Sequence, residues 1–317
     1  MPPYVSPTEP MTLRVREPGL LSLAVDLGRP RSRHLGVPLG GAADRAALAL
    51  GNALVGNAPG AVAVEVTLAG PTLEALGPAA CVIFGAAFES AVNGRAVPPG
   101  TTFTLEPGDV LRAGGAGRGA RGYLCVAGGF EAPEVLGSRS ALEPLRAGDE
   151  LNCRASRTEP RSLAIGASRE RERPEEAEHA PGSPVTLRVL DGPQHDWFAG
   201  DAFLEHEYDV SPASNRMGVR LRGEPLSRRA GELVSEAVAP GAVQVTNDGL
   251  PVVLGVDGQT IGGYPKVAHV IAADLDALGQ LRPGDGVAFT KVTEEEAEHA
   301  GAAMRAGLGR WLRRLGL

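Results

Sequence analysis

CVIFGA (residues 81–86) and PVVLGV (251–256) are short apolar runs closed off by glycine or proline, the pattern of strands buried on both faces. They also correspond to one another, since Val82–Gly85 matches Val252–Gly255 at an offset of 170 residues. Ala43-Asp44-Arg45 lies 171 residues before Ser214-Asn215-Arg216, and Glu65 and Gly70 precede Glu236 and Gly241 by the same distance. The turn Pro107-Gly108-Asp109 matches Pro283-Gly284-Asp285 at 176. An offset that drifts in small steps is what loop insertions produce, with chance alignment as the alternative, so the chain reads as two copies of one fold.

Around these runs most signals are extended. AHVIAA (268–273) is a third buried-strand candidate, and TFTLEPGDVLRAG (102–114) and LRPGDGVAFTKV (281–292) set Pro-Gly-Asp turns between strands. Asp44 is placed to cap a helix over 45–55 that ends near Gly56, and Asp274 to cap a short turn at 275–281. The tail opens on Thr293-Glu294-Glu295-Glu296 and closes on Arg310, Arg313 and Arg314, charges that suit the dipole of one helix. Between the two copies, 156–184 carries dense mixed charge and proline and reads as a linker. The expected organisation is therefore a first domain at 11–155, a charged linker at 156–184, a second domain at 185–293 and a C-terminal helix at 294–317. The fold class is mainly β with short helices, and barrel-like, because 43 glycines and 26 prolines break helices too often for a bundle.

Composition removes several functions. A net charge of −7 argues against a nucleic-acid binder. No apolar run approaches the length of a membrane span, and the first residues lack the order of a signal peptide. Three scattered cysteines without a CxxC pair suit a reducing compartment, so a cytoplasmic protein is expected. The six histidines show no metal spacing, and no metal site is expected. There is no P-loop, no G-x-S-x-G, no H-E-x-x-H and no Met-Lys-Met biotin attachment signature.

One segment concentrates polar chemistry: Asp257-Gly258-Gln259-Thr260-Ile261-Gly262-Gly263-Tyr264-Pro265-Lys266. Gly262 and Gly263 let a ligand approach the backbone closely, and Thr260 adds a hydroxyl. Lys266 is one of only two lysines among 31 basic residues, and an ammonium can exchange a proton where a guanidinium cannot. A hairpin whose polar groups satisfy each other is the alternative. Arg216, assisted by Ser214 and Asn215, is a candidate to fork onto a carboxylate or phosphate, with helix capping as the alternative. Gly137-Ser138-Arg139-Ser140 suits either an anion nest or a turn. Glu236 is a further substrate-binding candidate, although its match to Glu65 favours a structural role in both copies.

DGQTIGGYPK (257–266), SEAVAPGAVQV (235–245) and SNRMGVRL (214–221), with GNALVGN (51–57), EVTLAGPTL (65–73), GYLCVAGGF (122–130) and GSRS (137–140), resemble the biotin-dependent carboxyltransferase family. That family includes the C subunit of 5-oxoprolinase and the second half of the carboxyltransferase region of urea carboxylase. The resemblance implies two cyclophilin-like β-barrel domains and an obligate partner resembling the B subunit of 5-oxoprolinase, together with the A subunit. It implies a component, inactive alone, of an ATP-hydrolysing enzyme that converts 5-oxo-L-proline to L-glutamate, with ATP used at the level of the complex. A carboxyltransferase moving carboxyl from carboxybiotin to urea or a related amide is the alternative, and biotin belongs to that reading only. A non-catalytic regulatory partner of a kinase-inhibitor-like protein is the third. Both catalytic readings take a small-molecule amide, for which Lys266, Gln259 and Tyr264 are the candidate catalytic groups. Asp257 is expected to orient Lys266, and Arg216 to hold a carboxylate or acyl phosphate. The chain departs from the family at Gly41-Ala42-Ala43-Asp44 and in the short segment Ala141–Pro144 that follows GSRS.

Overall fold

The computed structural model describes residues 10–164, 183–229 and 231–317, which divide into two compact units. The first takes 10–28, 44–164 and 307–317, and the second 29–43, 183–229 and 231–306. Most of the expected linker, 165–182, lies outside the described residues.

The strands of the first unit are β1 (Pro10–Glu17), β2 (Leu21–Val25), β3 (Ala63–Thr67), β4 (Thr72–Ala75), β5 (Ala79–Gly85), β6 (Phe88–Val92), β7 (Arg95–Val97), β8 (Phe103–Leu105), β9 (Val110–Ala116), β10 (Arg121–Val126) and β11 (Glu150–Arg154), with α1 (Arg45–Leu54) between β2 and β3. They form a six-stranded sheet, β11-β1-β4-β9-β6-β7, and a five-stranded sheet, β2-β3-β10-β5-β8. The CVIFGA run is β5, and its unbroken apolarity has a two-sided cause. Cys81 and Ile83 enter the core shared with Leu13, Leu73 and Leu111, while Phe84 and Cys125 turn to the face covered by α1. Gly51 makes that packing possible, because a Cβ there would sit 2.9 Å from Cys125 Sγ and 3.1 Å from Phe84 Cβ. Asp44 caps α1 as expected, accepting from the Ala47 N–H at 2.9 Å, and Gly56 leaves the helix at a φ of +80°.

Glu65 of β3 is 1% exposed and accepts from the Tyr123 hydroxyl at 2.8 Å, with Arg121 Nε 3.4 Å away. The same Tyr123 oxygen accepts from the Asp44 N–H at 2.8 Å, so one buried carboxylate ties β3 and β10 to the start of α1. Burial first, then the charges of Glu65 and Asp44, pushes the Tyr123 phenol well above its usual range.

The GSRS segment holds a carboxylate of its own chain. Asp26 accepts from Ser138 Oγ and Ser140 Oγ, both at 2.6 Å, from the Arg139 N–H at 2.6 Å and from the Gly28 N–H at 2.7 Å. Burial raises the Asp26 pKa, but those donors outweigh it and hold the carboxyl below its ordinary value. A depressed carboxyl adds stability that is fully present above its unfolded pKa of about 3.9 and is lost as pH falls through the lower folded value. Asp26→Asn should therefore destabilise the protein at pH 7 and have less effect near pH 2, which urea unfolding at the two pH values measures.

The described start of the expected linker is bound to this unit. Arg157 forks onto Glu106 at 2.7 and 2.6 Å, the Arg161 N–H donates to Thr102 Oγ1 at 2.7 Å, and Leu163 is buried. Edge strand β8 has polar groups to satisfy, and this segment supplies partners for them.

The second unit contains β12 (Val185–Asp191), β13 (Tyr208–Val210), β14 (Gly218–Arg222), β15 (Glu236–Ala237), β16 (Ala242–Val245), β17 (Pro251–Leu254), β18 (Ile261–Gly262), β19 (Lys266–Val270) and β20 (Gly286–Lys291), with α2 (Ala202–Glu205) and α3 (Leu275–Leu278). Seven strands close into a barrel in the order β12-β19-β16-β17-β14-β13-β20, sealed by parallel pairing of β20 with β12. Leu187, Val243, Val253, Val270 and Val287 fill its interior, and Phe203 of α2 stacks on Phe289 at 4.5 Å. β15 and β18 form a separate two-stranded ribbon. Asp274 departs from the expected cap. Its side chain, 0% exposed, accepts from Arg188 Nη2 at 2.7 Å, Arg188 Nε at 3.0 Å and the Arg188 N–H at 2.8 Å, and makes no cap hydrogen bond to α3.

The architecture is mainly β with few short helices, as expected. The matched Pro-Gly-Asp turns lead into β9 and β20, with Gly108 and Gly284 both at a φ of +88°. Asp44-Arg45 instead opens a helix while Asn215-Arg216 lies in a turn ahead of β14, so the internal duplication rests on the sequence correspondences alone. The expected C-terminal helix is α4 (Glu294–Arg314). It opens with a capping box in which the Glu296 N–H donates to Thr293 Oγ1 at 3.2 Å and the Thr293 N–H to Glu296 Oε2 at 2.8 Å. No described helix is long and apolar enough to cross a membrane.

Candidate active site

The polar segment 257–266 runs out of the barrel after β17 and returns through β18 into β19. Its last residue, Lys266, opens β19 and is 5% exposed. Burying an ammonium costs several kcal/mol unless it is paired. The partner is Glu236, brought beside it by the β15–β18 ribbon, in which Glu236 stands opposite Gly262. Gln194 fixes both groups: its Oε1 accepts from the Lys266 N–H at 3.0 Å and its Nε2 donates to Glu236 Oε1 at 2.8 Å. Lys266 Nζ also donates to the Tyr264 carbonyl at 3.4 Å. Hydrogen bonds from Lys266 and then from Gln194 hold the Glu236 carboxyl below its ordinary range. Its side chain is 40% exposed, so the pair is buried on the lysine side and open on the carboxylate side.

Backbone packing sets the position of Lys266. Gly192 lies against the strand so closely that a Cβ there would collide with the Lys266 carbonyl. Gly192→Ala is expected to displace β19 and lower turnover by roughly tenfold or more. A steady-state assay beside a thermal melt checks this, and a loss of stability alone would contradict it.

The rest of the segment borders an open cleft of about 580 Å³ lined by Arg228, Ser235, Asn247, Gln259, Gly263 and Tyr264, among others. A Cβ on Gly263 would sit 3.2 Å from Ser235 Oγ, and one on Gly262 would collide with Gln244 Nε2. Gln244, on β16, accepts from Gln259 Nε2 at 3.4 Å, and its own Nε2 is buried without a hydrogen-bond partner. Thr260 gives its carbonyl to the Val238 N–H at 3.0 Å. Lys266 and Glu236 lie beside this cleft and do not line it.

Two expected roles are reassigned by the geometry. Asp257 does not orient Lys266. It takes Arg216 in a fork, Nε to Oδ2 at 2.7 Å and Nη2 to Oδ1 at 3.0 Å, while Nη2 also donates to the Gly41 carbonyl at 2.7 Å. Arg216 is buried, and these bonds commit the guanidinium to the protein instead of to a ligand carboxylate. Ser214 and Asn215 serve the same turn. Ser214 Oγ accepts from the Arg220 N–H at 3.0 Å, and Asn215 Oδ1 from the Met217 N–H at 2.8 Å. The structure thus brings Glu236, Tyr264 and Lys266 together, with Gln259, Thr260, Gly262 and Gly263 on the same segment, pairs Asp257 with Arg216 apart from them, and leaves Ser214 and Asn215 bonding the backbone of their own turn. Gln194 and Gln244 complete the surroundings of the lysine, and nothing local in the sequence marks either. Among the described residues no group of three or more His, Cys, Asp or Glu side chains is arranged to hold a metal ion.

A mainly β chain with a closed barrel, and a polar loop that ends on a buried lysine, has known relatives. Residues 35–291 match the carboxyltransferase domain, subdomain A and B, and the chain is a member of that family. It is 36% identical over 294 residues to the C subunit of 5-oxoprolinase from Escherichia coli, a match covering 90% of this chain and 93% of the relative. The crystal structure of the protein TTHA0988 is similar at a TM-score of 0.76 and 37% identity, covering 92% of this chain but only 59% of that one. The crystal structure of the K. lactis urea amidolyase gives a TM-score of 0.83 at 26% identity, over 96% of this chain and 20% of the larger enzyme.

Proposed function

We propose that this chain is the C subunit of an ATP-dependent 5-oxoprolinase, acting with its A and B subunits to open 5-oxo-L-proline to L-glutamate. The observation that carries the reading is the buried Lys266 ammonium, held by Glu236 and Gln194 beside a cleft bordered by two glycines. Support comes from the match to the corresponding Escherichia coli protein along nearly the whole of both chains.

Opening a lactam requires stabilising charge that builds on the amide oxygen, and a positioned ammonium supplies that. Lys266 Nζ has three protons, of which Glu236 and the Tyr264 carbonyl take two. In this reading the third goes to the lactam oxygen, reached at the edge of the cleft once the partner proteins complete the site. The Glu236 carboxylate, open to solvent on one side, balances the charge of the buried ammonium and fixes its position. Gln259 and the Tyr264 phenol orient the ring amide. ATP enters at the level of the complex, and the partner proteins complete the site.

A second reading, carboxyl transfer from carboxybiotin to urea, draws on the fold shared with the K. lactis urea amidolyase. Substrate choice separates the two. The complete mixture of this chain with its A and B subunits should release ADP and glutamate in equal amounts with 5-oxo-L-proline and show no urea-dependent turnover. Urea-dependent turnover with a biotin-bearing carboxylase, and none with 5-oxo-L-proline, would reverse the assignment.

A further inference from the structure

With Arg216 committed to Asp257, the cation expected to receive a substrate carboxylate must lie elsewhere. The cleft beside Lys266 offers one. Its lining includes two charged side chains, Arg228 and Glu232, so Arg228 is the cation among its described lining residues. The backbone around Arg228 is held in place. The Ala199 N–H donates to the Ser227 carbonyl at 3.4 Å, the Arg229 N–H to the Trp197 carbonyl at 2.8 Å, and Arg228 itself pairs with Phe198 in an isolated bridge. Neighbouring side chains on extended backbone point to opposite sides, and the two arginines here behave accordingly. Arg229 turns away, with its guanidinium 4.8 Å from the Trp197 ring centre and 3.5 Å from Asp196. Arg228 faces the cleft, where Nη2 donates to Asn247 Oδ1 at 3.2 Å and Asn247 lines the same wall. That neutral acceptor fixes the guanidinium while leaving its charge and its remaining N–H donors uncompensated. No carboxylate among the described residues pairs with it.

We propose that Arg228 binds the carboxylate of the substrate and thereby selects a lactam that carries an acid over a neutral amide. The inference rests on the 5-oxoprolinase reading and adds to it the residue that distinguishes the substrate from urea. A planar guanidinium matches a carboxylate through two parallel N–H donors, and Asn247 holds one edge of the fork while the other stays open to the cleft. Glu232, the other charged residue of the lining, disfavours a carboxylate placed beside itself and so adds to the preference for Arg228.

Steady-state kinetics of the complete enzyme test this with two lactams, 5-oxo-L-proline and 2-pyrrolidinone, which differ by the carboxylate alone. Arg228→Gln should raise KM for 5-oxo-L-proline about 30-fold with kcat within about threefold, and leave 2-pyrrolidinone kinetics unchanged. Arg228→Lys should recover part of the loss, since a point charge replaces the fork. A thermal melt equal to wild type is expected, because the side chain lies on an open cleft. An unchanged KM for 5-oxo-L-proline, or an equal effect on both lactams, would overturn the role of Arg228 while leaving the enzyme assignment standing. A wild-type mixture that does not turn over 5-oxo-L-proline would overturn the assignment itself and the carboxylate site with it.

Discussion

Lys266→Met should abolish turnover of the assembled enzyme, lowering kcat by about a thousandfold, the upper range for removing one donor to a developing oxyanion. Methionine keeps much of the buried volume while deleting the charge. The Lys266 backbone N–H stays bound to Gln194, and the Glu236 left behind is open to water, so the fold should survive. A thermal melt close to wild type alongside the lost activity is the expected pair of results. Lys266→Arg should not rescue, because a planar guanidinium cannot fit a space shaped for a compact ammonium between Glu236 and the Tyr264 carbonyl. Glu236→Gln should lower turnover less, since glutamine keeps an acceptor for the lysine while removing the charge that balances it. Loss of stability in Lys266→Met with normal turnover per folded molecule would make Lys266 a structural residue.

Glu65→Ala is the change expected to cost most in stability, about 3–5 kcal/mol. It strips Arg121 and the Tyr123 hydroxyl of a buried acceptor where water cannot replace it. Tyr123→Phe, which leaves the carboxylate beside Arg121 but removes two hydrogen bonds, should cost about 1–2 kcal/mol. Urea denaturation of the two variants separates these values, and equal effects would show that the tyrosine and not the ion pair holds β3 to β10. Glu236 makes a useful contrast, because the two glutamates occupy matching sequence positions. One is sealed in the first unit, and the other is half open beside a lysine.

What is legible in the sequence follows from the range of each interaction. The Asp44 cap spans three residues, and the CVIFGA strand advertises its two-sided burial by being apolar throughout, so both can be read directly. The polar segment ending at Lys266 is legible by composition. Its carboxylate partner is not, because Glu236 lies 30 residues away and reaches Lys266 through the β15–β18 ribbon. Gln194 is 72 residues from Lys266 and sits in an unremarkable loop. Asp257 suggests itself as the partner of Lys266 because it is near in sequence, but Arg216, 41 residues back, takes it in a fork that no local pattern announces. Asp274 fails as a cap for the same reason, since Arg188 offers three charge-assisted or backbone donors where a short helix offers one. Asp26 fills the GSRS nest from 112 residues away. Arg228 stands in a doublet with Arg229, and only the fold shows which of the two faces the cleft.

The place of Lys266 in a working 5-oxoprolinase is tested most directly by glutamate release from 5-oxo-L-proline and ATP, measured with the A and B subunits and with this chain present or omitted. Release only when the chain is present, and none when it carries Lys266→Met, is the predicted result. Equal release without the chain, or none in the complete mixture, would contradict it.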